Sequence, residues 1–380
     1  MVVSNQEEGE SKGDKLRPAL SHFINHQLSL FQNFLCNGKD ERDRLSNAID
    51  LWDNVPRYSI SRQAMTRSRI EGRFLEKYQT EFHHRGRFYI VTITPARAKD
   101  LDGVDREFYP SATEELVEDA LRKLAADQHA GWFDKSKPWS GVVFTLHALR
   151  QELARRGHTR SYQEIVLALD ILHKSNIEIA AQREDEQPAF ARTSESYLPH
   201  ISVVSRNRLR EDPKAKWLVR FHVLVAVSID QLTYRQFNYH LMMSHTTQLA
   251  RWLHKQLALK YTFAHYTAPF EMRYSTVKRD SGLLHNYARE RDAIDALHKA
   301  FTELKEHKVL MEFSRKNVLG PRGKLLDAAF TLTPSFDFVA DMKQSNKRVG
   351  DAQPQLAAKA VGLGRSSGSS AAVGIGRDSQ

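Results

Sequence analysis

One order of elements, found twice along the chain, limits the fold more than any other feature of the sequence. In the first copy, a short strand at 141–146 leads into the helix HALRQELARR, which Gly157 ends. After a turn, Ser161 is placed to cap a second helix, which gives way at Asn176 to the strand IEIAA. The apolar positions of that second helix are Ile165, Val166, Leu169 and Leu172. A polar loop, REDEQPAFARTSES, then separates IEIAA from two further extended runs, YLPHISVV and WLVRFHVLVAV.

The second copy follows the first at residue 246. A helix at 246–261 is followed by a short strand and turn in FEMRYSTVKRDSG, and then by a long helix at 286–305. The apolar faces of the two helices consist of Leu249, Trp252, Leu253 and Leu257, and of Ile294, Leu297, Phe301 and Leu304. The strands VLMEFS and LLDAAFTL flank the basic, turn-rich segment RKNVLGPRGK.

Helix, turn, helix and β-hairpin in this order indicate a winged helix, so the sequence predicts an α+β chain with two winged-helix domains in tandem. A strand at 88–94 and a helix that Thr113 caps and that runs to about 128 precede the first copy. The polar, glycine-containing ends predict disordered tails. The predicted divisions are a disordered leader (1–19), a motif segment and spacer (20–54), a first domain (55–225), a second domain (226–343) and a disordered tail (344–380).

Charge favours a polyanionic partner. The chain has 56 Lys and Arg against 46 Asp and Glu, a formal net charge of +10. Cys36 is the single cysteine, so no internal disulfide forms, and no Cys/His cluster has zinc-finger spacing. No apolar run reaches the length of a membrane span, and the first residues lack the order of a signal peptide. We expect a cytoplasmic protein without a membrane partner.

The long helix of the second copy carries the residues that we expect to read DNA bases. In a recognition helix, arginine can donate two hydrogen bonds to guanine and a carboxylate can accept one from cytosine. The expected base-reading residues are Asn286, Arg289, Arg291, Asp292, Asp295 and Lys299. The alternative is an ordinary solvated helix surface with local ion pairs.

Basic side chains around this helix are placed to contact phosphates. In the second copy these are Lys278, Arg279, Arg315, Lys316, Arg322 and Lys324, and in the first copy they are Arg155, Arg156 and Arg160. The helix of the first copy exposes Gln163, Asp170, His173 and Lys174, and its hairpin tip, REDEQ, is acidic. We therefore expect the second domain to specify the sequence and the first to position the protein or to dimerise.

No catalytic arrangement is found in the sequence. FHHRG has no apolar residue between His83 and His84, so on a strand their side chains diverge. In HLMMSH, His240 and His245 are five residues apart, which misses the usual spacing for a metal pair on one helix face. Neither a phosphate-binding GxxxxGK[ST] loop nor HExxH occurs. The sequence predicts a protein that is not an enzyme and needs no cofactor or metal.

The leader contains QLSLF, formed by Gln27, Leu28, Ser29, Leu30 and Phe31, which has two interpretations. Leu20, Ile24, Leu28, Phe31 and Leu35 recur at helical spacing, as in an amphipathic helix that packs on the body. Alternatively, QLSLF is similar to the peptide by which many bacterial proteins bind the DNA-polymerase sliding clamp. Its position ahead of a DNA-binding body favours the clamp interpretation.

From QLSLF through RFYIVTIT and GVVFTLHALRQEL to ERDAIDALHKAFTEL and VLMEFS, the chain resembles the plasmid replication initiators of the TrfA and RepA kind. The resemblance covers about residues 20 to 340. It implies binding of double-stranded iteron repeats at a plasmid origin, melting of adjacent AT-rich DNA, and recruitment of the sliding clamp, the replicative helicase and the host initiator. It also implies an equilibrium between monomer and homodimer.

This chain departs from the family in a longer second wing, a C-terminal tail and an acidic tip on the first hairpin. Two other functions stay open: a winged-helix transcriptional repressor without a replication role, and a nicking enzyme whose tyrosine we do not identify.

Overall fold

A computed structural model describes residues 39–71, 74–127, 130–181, 192–204, 214–323 and 325–366. Its helices are Lys39–Arg44 (α1), Asp50–Asn54 (α2), Arg62–Ile70 (α3), Ala112–Asp127 (α4), Leu146–Arg155 (α5), Tyr162–Lys174 (α6), Val223–Gln231 (α7), Tyr239–Ser244 (α8), Gln248–Lys260 (α9), Tyr274–Ser281 (α10), Glu290–Glu306 (α11) and Phe336–Ser366 (α12).

The strands are Leu45–Ile49 (β1), Tyr78–His84 (β2), Arg87–Thr94 (β3), Ala96–Lys99 (β4), Asp105–Phe108 (β5), Gly131–Asp134 (β6), Trp139–Thr145 (β7), Asn176–Ala181 (β8), Arg192–Ser196 (β9), His200–Val204 (β10), Lys216–Arg220 (β11), Tyr234–Asn238 (β12), Phe270–Arg273 (β13), Leu310–Leu319 (β14) and Leu325–Pro334 (β15).

The first unit (residues 78–220) contains the predicted helix-turn-helix in α5 and α6. Gly157 lies in the turn with φ of +85°, a conformation that favours glycine. Ser161 caps α6 through a capping box: its side chain accepts from the backbone N–H of Glu164, and the Glu164 carboxylate accepts from the backbone N–H of Ser161. The hairpin of β8 and β9 follows, and its sheet is extended on the other side to the order β2-β3-β8-β9. This is a winged helix with two added strands.

A second sheet of the first unit has the order β10-β11-β7-β6. The extended run predicted in WLVRFHVLVAV is wrong for its second half, which forms α7. His222 caps this helix by accepting from the backbone N–H of Leu224, and Leu224, Val225, Ala226 and Ile229 of the helix are buried. The β-branched residues of the run fit a buried helix as well as a strand. The domain boundary predicted between residues 225 and 226 therefore falls inside α7.

The second unit (residues 248–366) has the strand order β13-β15-β14, with β13 before the helix-turn-helix and the hairpin after it. Together with α9, α10 and α11 this is the arrangement of a winged helix. The predicted turn in YSTVKRDSG is instead the helix α10, which buries Tyr274 and Val277 and ends at Gly282 with φ of +65°. On α11, the predicted apolar face is confirmed, because Ile294, Leu297, Phe301 and Leu304 are all buried.

The two units meet at buried charged side chains of α4 in the first unit and α9 in the second, together with those of α2, which precedes both units. The Lys255 ammonium on α9 lies 3.0 Å from carboxylate oxygens of both Glu115 and Asp119 on α4. On α2, Asp53 accepts two hydrogen bonds of 2.8 Å from the guanidinium of Arg122. Burial alone would raise the pKa of Asp53, but Arg122 and Arg57 hold that pKa well below its usual range. The junction is therefore ionic, and each of these buried carboxylates contacts a buried cation.

Two further expectations differ from the structure. Thr113 lies inside α4, and Ser111 precedes the helix with its backbone N–H and hydroxyl bonded to the Glu114 carboxylate. Residues 344–366 continue α12 where a disordered tail was predicted. The buried Arg348 guanidinium lies over the Tyr234 ring, and the Asn346 amide donates to the backbone carbonyl of Thr262 at 2.7 Å. These contacts attach α12 to the rest of the protein at Asn346 and Arg348, inside the predicted tail.

Candidate nucleic-acid interface

The helix α11 exposes the side of its first three turns that lies opposite its buried face. Arg289, Arg291, Asp292 and Lys299 are exposed, and the Arg291 side chain is 85% accessible. Within the described residues, no carboxylate pairs with Arg289 or Lys299. The helix begins at Glu290, with Arg289 at its N-cap position and without a side-chain cap. Asn286 lies in the preceding turn instead of on the helix, which corrects the predicted start at residue 286.

Glu290 connects the start of α11 to α10. Its carboxylate accepts from the Lys278 ammonium and from the Tyr274 hydroxyl. These two donors hold the pKa of Glu290 below its usual value, so the carboxylate is ionised at neutral pH. Lys278 is therefore paired in the structure, and a phosphate that binds this lysine must compete with Glu290.

The wing is connected to α11 by a second carboxylate. Asp295 lies 3.3 Å from the guanidinium of Arg315 on β14, and the Arg291 guanidinium lies 4.0 Å from the other oxygen of Asp295. Arg315 also donates to the Asn317 side chain at 2.8 Å. Asp295 therefore holds two cations of the expected surface, one on its own helix and one on the wing.

The wing itself is a pair of ten-residue antiparallel strands, β14 and β15. Their connection contains a single 3₁₀ turn, Pro321–Gly323, and Gly323 has φ of +71°. Lys316 is exposed on β14. The side chain of Arg322 and the whole of Lys324 lie outside the described residues, so both stay predictions.

Arg279 points from α10 toward the first unit. Its guanidinium donates to the Asp280 carboxylate at 2.7 Å, and its side chain is 38% accessible. The backbone N–H of His83 on β2 donates to the same carboxylate oxygen at 3.3 Å. The first unit therefore reaches the helix-turn-helix of the second through Asp280.

An open cleft of about 930 Å³ lies between β2 of the first unit and α10 of the second. It reaches the start of α11 and, at Leu325 and Leu326, the tip end of the wing. The lining side chains come from β2 and its approach, from α10, from the turn before α11 and from β15, and they include Tyr78, Gln79, Glu81, Ser275, Lys278, Arg279, His285, Asn286, Glu290 and Leu326.

The basic residues predicted in the first unit have separate surroundings. Arg155 is 54% accessible and lies 3.3 Å from Asp43, and Arg160 is partly exposed. Arg156 is buried, with its guanidinium 2.8 Å from Glu152 and 3.2 Å from Asp43. The prediction that Arg156 contacts phosphate is wrong, because its charge is already neutralised inside the protein. Arg156 is the C-cap residue of α5, and its side chain binds carboxylates inside the protein. From the sequence alone it was one residue of a basic run.

The histidines considered for metal binding do not converge. His84 lies 3.3 Å from Asp50, whereas His83 packs edge-on against Phe88. His240 contacts Arg156, and His245 contacts His254. Within the part of the chain that the structure describes, no group of three or more His, Cys, Asp or Glu residues could hold a metal ion.

Sequence reasoning missed the hairpin of β2 and β3 as part of this surface. Its turn has Arg85 and Gly86 at φ of +50° and +76°, as in a tight type I′ hairpin turn, and Arg85 and Arg87 are exposed. The sequence signal for this turn is Arg85-Gly86 between two β-forming runs. The QLSLF motif lies outside the described residues.

Comparisons with known proteins give structural likenesses at low sequence identity. No family model matches the chain, and no curated protein matches it. A crystal structure of domains 2 and 3 of RctB, as a selenomethionine derivative, is 11% identical, covers 69% of this chain and 92% of its own, and has a TM-score of 0.45. A second structure of RctB domains 2–3 is 10% identical, covers 70% of this chain and 95% of its own, and has a TM-score of 0.42.

A crystal structure of the Pi initiator protein in complex with iteron DNA is 10% identical, covers 64% of this chain and 98% of its own, and has a TM-score of 0.38. At such scores a likeness establishes no function. The winged-helix assignment of this chain rests on its own strand order. None of the described helices is long and apolar enough to cross a membrane.

Proposed function

We propose that this protein is a plasmid replication initiator that binds repeated duplex sites, the iterons of an origin, through its second unit. One observation carries the proposal. The exposed start of α11, with Arg289, Arg291 and Asp292, lies beside a ten-residue wing that exposes Lys316. A helix in the major groove with a basic hairpin over the adjacent backbone is the usual way in which a winged helix binds a duplex.

Within this unit, different charged residues are proposed to contact bases and phosphates. Arg289 and Arg291 have the donors to bind guanine, and Asp292 can accept from cytosine. We expect Lys316, Arg315, Lys278 and Arg279 to contact phosphates, with Arg322 and Lys324 joining them on the wing. Because each neutralised phosphate releases counterions, the logarithm of affinity should fall with the logarithm of salt at about −0.9 per contact.

The remaining steps of initiation rest on the sequence resemblance. Melting of AT-rich DNA beside the iterons, and recruitment of the replicative helicase and the host initiator, are what the resemblance implies. QLSLF supplies the proposed contact to the sliding clamp. A monomer–homodimer equilibrium would set how much protein is available to the origin.

The test is a selection of duplexes from a randomised library with the purified protein, followed by a replication assay. We expect one conserved motif, and we expect tandem copies of it beside an AT-rich segment to be opened by the protein. A selected motif that the protein binds without opening the adjacent DNA, and without supporting replication, would favour the repressor. Strand nicking of a supercoiled plasmid bearing the motif would show an enzyme instead.

A further inference from the structure

The cleft beside α10 has one wall from each unit, and both walls belong to one fixed structure. Gln79 and Glu81 come from β2 of the first unit, whereas Ser275, Lys278 and Arg279 come from α10 of the second. The cleft opens next to Glu290, where α11 begins. A duplex that places its major groove on α11 must therefore pass one of its backbones close to this opening.

Asp280 holds the two walls together. This buried carboxylate accepts from the backbone N–H of His83 on β2 and from the Arg279 guanidinium of α10, and the Lys260 ammonium lies 3.9 Å from its other oxygen. The hairpin is also tied to α2, because Asp50 lies 2.7 Å from Arg85 and 3.3 Å from His84. The position of β2 relative to α10 is therefore built into the fold.

The chemistry of the cleft suits a phosphodiester backbone. Lys278 and Arg279 supply positive charge, and Gln79 and Asn286 supply neutral hydrogen-bond donors, whereas the Ser275 hydroxyl already donates to Asp327 at 2.7 Å. Two carboxylates also line the cleft. Glu290 is held by Lys278 and Tyr274, and Glu81 projects from β2. On the α10 wall a phosphate competes with Glu290 for Lys278 and with Asp280 for Arg279, whereas on β2 the exposed amide of Gln79 is able to donate to it.

We propose that this cleft receives a sugar-phosphate backbone of the bound duplex, and that Gln79 on β2 is a DNA contact of the first unit. The inference rests on the proposed duplex binding by the second unit. It assigns the first unit a contact through its sheet, away from its own helix-turn-helix. The exposed Arg85 and Arg87 at the end of the same hairpin extend the positive surface beyond the cleft.

The test places charge at Gln79 in the full chain. Gln79→Lys should tighten binding to the selected duplex about fivefold and steepen the salt dependence by about one phosphate, and Gln79→Glu should weaken binding about fivefold. Gln231, an exposed glutamine at the end of α7, provides the matched controls Gln231→Lys and Gln231→Glu. These controls change net charge equally and should leave affinity within about twofold.

A tethered cleavage reagent locates the contact directly. In a Cys36→Ser background, an iron chelate on Gln79→Cys should cut the duplex at one place beside the motif, and the same chelate on Gln231→Cys should not. Equal effects of the Gln79 and Gln231 substitutions, or absence of a localised cut, would overturn the inference while duplex binding by the unsubstituted protein stands. Failure of the unsubstituted protein to select any duplex would overturn both proposals.

Discussion

Asp295 on α11 and Arg315 on β14 form an ion pair of 3.3 Å. A carboxylate of the helix proposed to read bases therefore neutralises a cation of the wing proposed to hold the DNA backbone. Asp295 is about half exposed, and a surface pair of this kind contributes about 0–1 kcal/mol to stability. Its main effect is electrostatic: the carboxylate reduces the positive potential that the wing offers to DNA.

Asp295→Asn should release Arg315 and raise affinity for random duplex about threefold, with little change in the free energy of unfolding. Glu306→Gln, at the exposed end of the same helix, is the control with the same charge change. Filter binding or fluorescence anisotropy on random DNA measures the difference. Equal gains from both substitutions would mean that net charge, and not the Asp295–Arg315 pair, sets the affinity.

Arg289 and Lys316 should differ in what they contribute to recognition. Arg289→Ala should cost about 1–3 kcal/mol on the selected motif and relax one base position, because a base-edge contact is lost. Lys316→Ala should weaken the selected motif and random duplex alike and reduce the salt slope by about 0.9. Repeated selection with each variant gives the base preference, and titration at several salt concentrations gives the slope. Equal losses on motif and random DNA for Arg289→Ala would contradict the recognition-helix assignment.

The two interpretations of QLSLF are separated by two double substitutions. Leu30→Ala/Phe31→Ala should abolish binding to a bacterial sliding clamp without changing thermal stability, if the motif is a peptide ligand. Leu20→Ala/Ile24→Ala alters the same apolar stripe outside the motif and should leave clamp binding intact. A lowered melting temperature in both variants, without clamp binding by the intact protein, would identify a packed amphipathic helix.

The local order of elements could be predicted from sequence because helix period and caps are local. Ser161 and the buried face of α11 are examples, since capping and 3.6-residue periodicity need no tertiary information. Burial of charge could not be predicted in this way. Arg156 sits in a basic run like Arg155, and only the placement of Asp43 and Glu152 shows that one is buried and the other exposed.

The same reason explains why the candidate site was predicted on one unit only. The hairpin of β2 and β3 and the helix α10 are about 190 residues apart in sequence, and the hydrogen bond from His83 to Asp280 joins them. No pattern within either segment indicates the other. The placement of α12 could not be predicted for the same reason. Asn346 donates to Thr262 and Arg348 donates to Asn47, and both partners are distant in sequence.

Acid should destabilise the protein well above the usual carboxylate range because of buried histidines. His245 and His254 lie 3.0 Å apart, near His307, Arg251 and Glu303. Burial lowers the pKa of His245 to about 4 and that of His254 well below its usual value, so both are neutral in the folded protein. In the unfolded chain they bind protons near pH 6.5, so stability present above pH 6.5 is lost as the pH falls toward 4.

Urea unfolding at pH 7.5, 6.5, 5.5 and 4.5 measures this loss. Each such histidine contributes a slope of up to about 1.4 kcal/mol per pH unit below its unfolded pKa. His254→Gln should lower stability at every pH but flatten the slope by about one proton, whereas His200→Gln, at an exposed position, should leave the slope of the unsubstituted protein. An unchanged slope in His254→Gln would contradict a neutral His254.

The ionic junction between the units should depend on Lys255. Burial opposes its charge, but Asp119 and Glu115 hold the pKa of Lys255 above its usual value. Lys255→Met leaves the buried Glu115 without its cation and leaves Asp119 with Arg122 alone, so it should cost about 3–5 kcal/mol in the free energy of unfolding. Lys305→Met, which removes a 3.0 Å pair with the exposed Glu312, should cost less than about 1 kcal/mol.

A triple variant tests whether the cost is uncompensated charge or lost packing. Lys255→Met/Glu115→Gln/Asp119→Asn removes the cation and both carboxylates, and it should recover most of the stability lost in Lys255→Met, because no buried charge is left without a partner. Chemical denaturation of the full chain measures all three variants. If Lys255→Met costs no more than Lys305→Met, the junction is hydrated and the units are not held together by their buried charges. If the triple variant recovers nothing, the lysine acts through packing, and the carboxylates of α4 do not depend on it.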